Sequence, residues 1–468
     1  MRIRALAVLL LLCILLITGC GSSNSSSSSN LPTPNPPTPP STTNQWTWVS
    51  GSNLVNQPGS YGQQGTPAST NVPPARYGAA TWTDASGSFW LFGGITAPTA
   101  SSDTWYNDLW KFSNGQWTWV SGSNATNQTG VYGTLGVPGS GNIPGGRSNA
   151  ATWVDSSGSL WLFGGTGLDA YGNNGRCPND LWRYRDGEWT WMGGPQTTIA
   201  GTPGNYGTQG IAAADNLPGQ RIGAVVWTDN SGNFWLFGGL GDDSVGNWGY
   251  LNDLWMYSNG QWTWVSGASI VQQSGVYGTL GTPNPANVPG GRMDASAWVD
   301  ASGNLWLFGG SYNQPMGTYH ALNDLWKFSN GQWTWMGGSD QPDQRGVYGA
   351  EGTASSANNP GARGGAAAWV DAFGNFWLFS GGSDWPNDLW KYSDGQWTWV
   401  DGSQANSPGI YGTLGVASPS NIPGSRIWAS TWTDRSGHLW LFGGQGNDSL
   451  GNGPGDFGYL NDLWEYQP

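Results

Sequence analysis

Charge is scarce in this 468-residue chain: charged side chains are 10% of it, with 16 Lys and Arg against 29 Asp and Glu and a net charge of −13. An acidic surface with so few cations repels phosphate backbones and anionic headgroups, which excludes nucleic acid as a partner and excludes membrane adhesion by a basic patch. Histidine occurs twice and cysteine three times. Cys13 and Cys20 fall in the first 20 residues, so Cys177 stands alone in the rest, with neither a disulfide framework nor a cysteine zinc cluster within reach. No P-loop, serine-nucleophile motif or HExxH is present, and no motif pairs two carboxylates for acid–base work. What is abundant is glycine (77) and tryptophan (34). Glycine without a G-X-Y period is not collagen, and large apolar rings supply the burial that disordered chains lack. The composition is that of an all-β protein with many turns and an aromatic core.

The N-terminus reads as an address. Arg2 and Arg4 precede an apolar run from Ala5 to Ile17, a secretory pattern too short for a membrane span. The run ends Ile17-Thr18-Gly19-Cys20, which resembles the bacterial lipobox; the resemblance implies a signal peptide over 1–20 and lipidation of Cys20. Residues 21–44 are Ser, Asn, Pro and Thr with no apolar periodicity, so they form a tether and cannot bury a core. The chain is therefore expected to sit outside the cytoplasm, in a bacterial cell envelope, touching the membrane through the lipid anchor alone.

From residue 45 to 468 the chain repeats itself. Four elements each occur six times. Element a is Ala-rich and ends Trp-x-Asp, with its Trp at 82, 153, 227, 298, 369 and 432. Element b is an apolar run into Trp-Leu-Phe-Gly-Gly, with its Trp at 90, 161, 235, 306 and 440; the fifth copy, Trp377-Leu378-Phe379-Ser380-Gly381-Gly382, reads as carrying an inserted Ser. Element c is Asp-Leu-Trp, with its Trp at 110, 182, 255, 326, 390 and 464, and element d is Trp-Thr-Trp, starting at 46, 117, 189, 262, 333 and 397. Each is a short aromatic and aliphatic run bounded by Gly, Asn, Asp and Ser, which predicts a strand, and Asn114-Gly115 between c and d is a hairpin signal. A hydrophobic run, Gly-Gly, and two aromatics seven positions apart (Trp110 to Trp117, Trp182 to Trp189) resembles the kelch motif. The resemblance covers about nine-tenths of the chain, in repeats some 20 residues longer than the ~50 usual for kelch.

The implied architecture is a six-bladed β-propeller of four-stranded antiparallel blades. The repeat region begins with element d, Gln45-Trp46-Thr47-Trp48-Val49, and ends with element c, Asp462-Leu463-Trp464-Glu465-Tyr466, so an N-terminal d strand is expected to complete the last blade and remove the open joint. Thirty tryptophans belong to the repeat and are read as packing; Trp105, Trp248, Trp385 and Trp428 are not. Short a–b and c–d turns should occupy one face, and the long b–c loops and d–a crossings the other, which is where function is expected. The repeating Arg76, Arg147, Arg221, Arg292, Arg363 and Arg426, and the repeating Asp of element c, are read as structural pairs.

Two residues after each Arg the pattern breaks into Gly78, Asn149, Gly223, Asp294, Gly365 and Trp428. With a as the innermost strand, this position should ring the channel mouth, making Asn149, Asp294 and Trp428 the first candidates for ligand contact. The b–c loops add Trp105, Arg176, Asp242, Asp243, Trp248, Tyr319, His320 and Trp385. The loop Gly241-Asp242-Asp243-Ser244 is acidic but lacks EF-hand spacing. Kelch propellers include copper oxidases resembling galactose oxidase, whose site needs His and Tyr ligands and a Tyr–Cys cross-link. Here His320 falls in a b–c loop and His438 in an a–b turn, on opposite faces, so such a site is not expected, nor is any other metal or cofactor. The expected function is a monomeric binding propeller for a glycan or protein ligand. A carbohydrate-active enzyme of epimerase or hydrolase type in the same bowl, and a structural envelope module, are the alternatives.

Overall fold

In the computed structural model the described residues are 43–96, 104–174, 179–198, 201–313, 317–382, 384–451 and 457–468. Cys20, Arg176 and Cys177 lie outside them. The described residues are all-β, and their sheets form six antiparallel blades of mainly four strands. In the first blade strand a is Ala80–Thr83, b Phe89–Phe92, c Leu109–Ser113 and d Gln116–Ser121. The third and sixth blades run their b and c strands on into the long-loop face, as Phe234–Asp242 with Trp248–Ser258 and Leu439–Gly446 with Gly458–Gln467.

Local chemistry sets each turn. Asn114 and Gly115 both have positive φ (52° and 75°), the left-handed pair that a two-residue hairpin matched to strand twist demands. In the a–b turn the Asp84 carboxylate accepts the amides of Ser86 and Ser88, closing the loop from within. The N-terminal strand Gln45–Ser50 pairs antiparallel with the C-terminal strand, Trp46 opposite Tyr466 and Trp48 opposite Trp464. The ring is therefore closed by both ends of the repeat region, as the order of elements implied.

Blades pack through their tryptophans. Trp117 of the first blade lies against Trp432 and Phe442 of the sixth, with centroids 6.3 and 5.4 Å apart, and Trp153 and Trp262 repeat the contact at 6.2 Å between the second and third. Trp46, Trp110, Trp182, Trp255, Trp326, Trp390 and Trp464 are wholly buried. Each such ring removes roughly 200 Å² from water, on the order of 5 kcal/mol of gross transfer energy.

A buried pair rivets every blade. Arg76 Nη1 and Nη2 donate to the two Asp108 oxygens at 2.6 and 2.8 Å, Nη1 also donates to the Gly93 carbonyl, and Nε to that of Pro74. Asp108 further accepts the Trp110 indole N–H and the Tyr61 hydroxyl, both at 2.7 Å. The same set recurs around Asp180, Asp253, Asp324, Asp388 and Asp462. Burial disfavours the Arg76 cation, but Asp108 outweighs it and holds the guanidinium above its ordinary range; burial and Asp108 together push the Tyr61 hydroxyl far up. Tyr61 comes from a d–a crossing, so the recurring Tyr-Gly of those crossings pins each crossing to the next blade's rivet. Midway, each crossing also bridges the outer strand of that blade (Ala68 with Trp117, Gly139 with Trp189), covering an edge that would otherwise be open.

The Gly-Gly of strand b has a geometric cause. Gly94 has φ 98° and its N–H donates to the Arg147 carbonyl of the next blade at 2.8 Å, while a Cβ on Gly93 would stand 2.5 Å from that same oxygen. In the fifth blade Ser380 takes the place of the first glycine (φ 57°), its carbonyl meeting Arg363, and Gly381 makes the inter-blade bond to Arg426. The serine is thus a replacement at a left-handed position with no residue inserted, since the N–H of Gly382 donates to the Gly364 carbonyl just as that of Ile95 donates to Tyr77; the reading of an inserted Ser is corrected accordingly.

Candidate functional site at the channel mouth

The six residues that break the repeat form a closed ring. The N–H of Gly78 donates to the Trp428 carbonyl, Asn149 to Gly78, Gly223 to Asn149, Asp294 to Gly223, Gly365 to Asp294 and Trp428 to Gly365, at 2.8–3.2 Å. All six have positive φ, from 53° to 68°. Glycine adopts that conformation freely and Asn and Asp tolerate it; a bulky Trp there is rare and stores strain of order 1 kcal/mol or more. Side chains alternate around the ring, each lying over the glycine before it. A Cβ on Gly78 would stand 2.4 Å from Asn149 Oδ1, one on Gly223 2.5 Å from Asp294 Oδ1, and one on Gly365 3.0 Å from Trp428 Nε1. Three glycines thus make room for three larger side chains, which converge on a cavity of about 200 Å³ also lined by the alanines that immediately precede strands a.

The mouth is electrostatically unusual. Loss of hydration pushes the Asp294 carboxyl up to about 6, and the nearby Trp428 indole N–H, which favours the carboxylate, offsets this in part. That N–H is buried and lies short of a proper hydrogen bond with any protein acceptor among the described residues. An orphaned donor beside a destabilised carboxylate is costly in a folded protein unless something else meets it.

Aromatic residues extend the mouth on two sides. Tyr77 stacks on Trp428 (5.2 Å, 27°) and Tyr459 on Tyr77 (5.4 Å, 20°). Across the ring, Tyr250 and Tyr319 both sense the Asp294 charge, and partial loss of hydration around their hydroxyls pushes both up. Tyr250 meets Tyr312 edge-on at 6.5 Å, and Tyr312 packs on the His320 ring at 5.4 Å. Tyr312 also lines a larger cleft of about 580 Å³ with Gln272, Gln273, Asn313, Asp340 and Gln341.

The remaining candidates divide. Tyr319 is exposed near Asp294, whereas His320 is held aside by Asp343, its Nδ1 2.6 Å from Oδ2. Trp248 opens the long c strand of the third blade opposite Asp242, and Trp385 stacks on Phe457 at 3.8 Å between two loops. Three other candidates sit in packed surroundings. Asp242 and Asp243 are fully buried; Asp242 is bonded by the Gln220 amide, and Asp243 accepts the backbone amides of Val245, Asn247 and Val271, so the pair clamps its own loop. Trp105 is buried against Ile95 and Leu168 and packs two loops together. Tyr77, Tyr250 and Tyr459 were missed. A signal existed: three residues before the repeating Asp of strand c the chain reads Trp105, Cys177, Tyr250, Ala321, Trp385 and Tyr459, a second irregular and mostly aromatic series.

Fold and site together define a six-bladed β-propeller with a polar, aromatic-flanked mouth on its long-loop face. Among solved structures the chain is similar to YjhT, at 13% identity over 86% of this chain and 95% of that one, with a TM-score of 0.46. It is also similar to a copper-bound fungal alcohol oxidase of the AA5 family, at 14% identity over 88% of this chain and 77% of that one, with a TM-score of 0.45. No protein-family model and no curated protein matches it.

Proposed function

We propose that this protein is a binding propeller of the bacterial cell envelope that takes a glycan end at its channel mouth. The observation that carries the reading is the convergence of Asn149, Asp294 and Trp428 on one cavity, in a strained backbone ring that the blade architecture does not itself require of non-glycine residues. An amide, a carboxyl and an unmet indole N–H offer both donors and acceptors for hydroxyl groups, and the Tyr459–Tyr77–Trp428 stack gives the flat apolar edge that sugar rings cover. Screening the purified propeller on a glycan array is expected to return hits that weaken at least ~10-fold in Asn149→Ala and Trp428→Ala, about 1.4 kcal/mol each. Hits bound equally by both variants would reject this site.

One observation favours a second reading, a carbohydrate-active enzyme in the same bowl. A carboxyl pushed up to about 6 is suited to give and take a proton near neutral pH. Turnover of an array hit that is lost in Asp294→Asn while binding persists would establish it; binding without turnover in the wild type would leave the first reading standing.

The anchor belongs to the same proposal. Arg2, Arg4, the apolar run to Ile17, the Thr18-Gly19-Cys20 junction and the 21–44 tether support lipidation of Cys20. In a bacterial host the wild type is expected in the membrane fraction and Cys20→Ser in the soluble fraction; equal partition would refute the anchor.

A further inference from the structure

The sixth blade also breaks the repeat at the other end of its strands, in two places that touch. Every blade ends strand a with an Asp, here Asp434. Four residues on, the other five blades carry Ser or Asn, and the sixth carries His438. On strand c, the residue after the repeating Trp is Lys or Arg in four blades and Met in one; in the sixth it is Glu465. In the first blade that cation is Lys111, 3.4 Å from Asp84 and 5.0 Å over the Trp90 ring. The sixth blade has replaced a cation by an anion and placed an imidazole beside it.

The ligand atoms of Asp434, His438 and Glu465 all lie within 4.8 Å of one another. His438 Nδ1 is 2.7 Å from Glu465 Oε1 and 3.4 Å from Asp434 Oδ2. Asp434 is oriented by its own turn: Oδ1 accepts the amides of Ser436 (2.8 Å) and His438 (3.0 Å), and Oδ2 accepts the Trp440 indole N–H at 3.1 Å while facing the imidazole. Ligands ~2.1 Å from a tetrahedral zinc ion stand about 3.4 Å apart, which the Asp434–His438 spacing meets and Glu465 meets by backing off about 0.7 Å. The three side chains are 16–31% exposed, so further coordination positions would face solvent.

We propose that Asp434, His438 and Glu465 form a site for a divalent transition-metal ion of the zinc class, whose charge takes the place of the cation that strand c carries in four other blades. One imidazole nitrogen and two carboxylates are a ligand set that such ions accept. Glu465 pairs with Trp440 on one side and with Thr47 of the N-terminal strand on the other, so the ion ties the a–b turn to the strand on which both chain ends meet. The site is independent of the mouth and at the opposite end of the blade.

The test is calorimetric titration of the chelator-treated protein with ZnCl₂, alongside thermal melts and the visible spectrum of the Co²⁺-loaded protein. The expected result is one ion per chain, a rise in melting temperature with zinc, and a cobalt spectrum of low coordination number. His438→Asn and Glu465→Lys install residues that other blades already hold at these positions, so both variants are expected to fold and to lose the ion. Absence of stoichiometric binding in the wild type, or binding undiminished in both folded variants, would overturn the proposal and leave the trio as a hydrogen-bonded cluster without an ion.

Discussion

Replacing Asp324 by Ala should remove more stability than any single surface change. Asp324 is fully buried and accepts two hydrogen bonds from Arg292 (2.6 and 2.8 Å), one from the Trp326 indole N–H (2.7 Å) and one from the Tyr277 hydroxyl (2.8 Å). Without it the Arg292 guanidinium stays buried without a counter-ion, met by the Gly290 and Gly309 carbonyls alone, a loss of about 3–5 kcal/mol. The stranded indole and phenol donors add to this, each about 1–3 kcal/mol taken alone and less together, since the groups form one network. A total of about 4–6 kcal/mol is expected. Urea unfolding followed by tryptophan fluorescence measures it. The paired replacement Arg292→Met with Asp324→Leu removes both charges and should lose far less than the single change, because no charge is left buried alone. A loss below about 1 kcal/mol in Asp324→Ala, or a double variant worse than the single one, would refute the account of these pairs as the rivets of the blades.

Two further outcomes follow from the geometry. Asp294 has its folded pKa raised from 3.8 to about 6, so between those values the folded state holds a proton that the unfolded state releases; this group's contribution to stability is fully present below about 3.8 and is lost as pH rises through about 6, by up to about 3 kcal/mol, and the difference in stability between wild type and Asp294→Asn should change by that amount in melts taken across pH 3.5–7. Deleting residues 43–50 removes the strand that completes the sixth blade and bares the strand ending at Gln467; the truncated chain should melt at least several degrees lower and associate through the open edge, seen by light scattering, and an unchanged monomer would contradict the closure.

The architecture was readable because the cues were redundant. Thirty repeating tryptophans, five Gly-Gly pairs at matched positions and the Asn-Gly turns demand the same strand order, and the d strand that the sixth repeat lacks stands at the start of the repeat region. The mouth was readable in part, through one irregular position: Asn149, Asp294 and Trp428 do meet in one cavity. What periodicity could not convey was side-chain direction in the long loops. Asp242 and Asp243 look like exposed acids in sequence, but the loop folds its amides onto them; Trp105 looks like a free ring, but Ile95 and Leu168 cover it. Tyr77 lies between the repeating Arg76 and Gly78, and Tyr459 three residues before a repeating Asp, positions whose side chains differ from blade to blade and so carry no periodic signal. The Asp434–His438–Glu465 trio escaped for another reason. Its members lie on two strand ends that the hairpin register alone brings together, and an Asp repeated in every blade looks structural until its neighbours are seen to change.

The claim at the centre of this account is that the ring of Asn149, Asp294 and Trp428 receives a ligand. Soaking crystals with the strongest array hit and solving the complex tests it most directly. The account predicts ligand density on the channel axis, within hydrogen-bonding distance of Asn149 and Asp294 and accepting from Trp428 Nε1. Density confined to the outer blades or to the short-turn face, with the mouth unchanged, would contradict it.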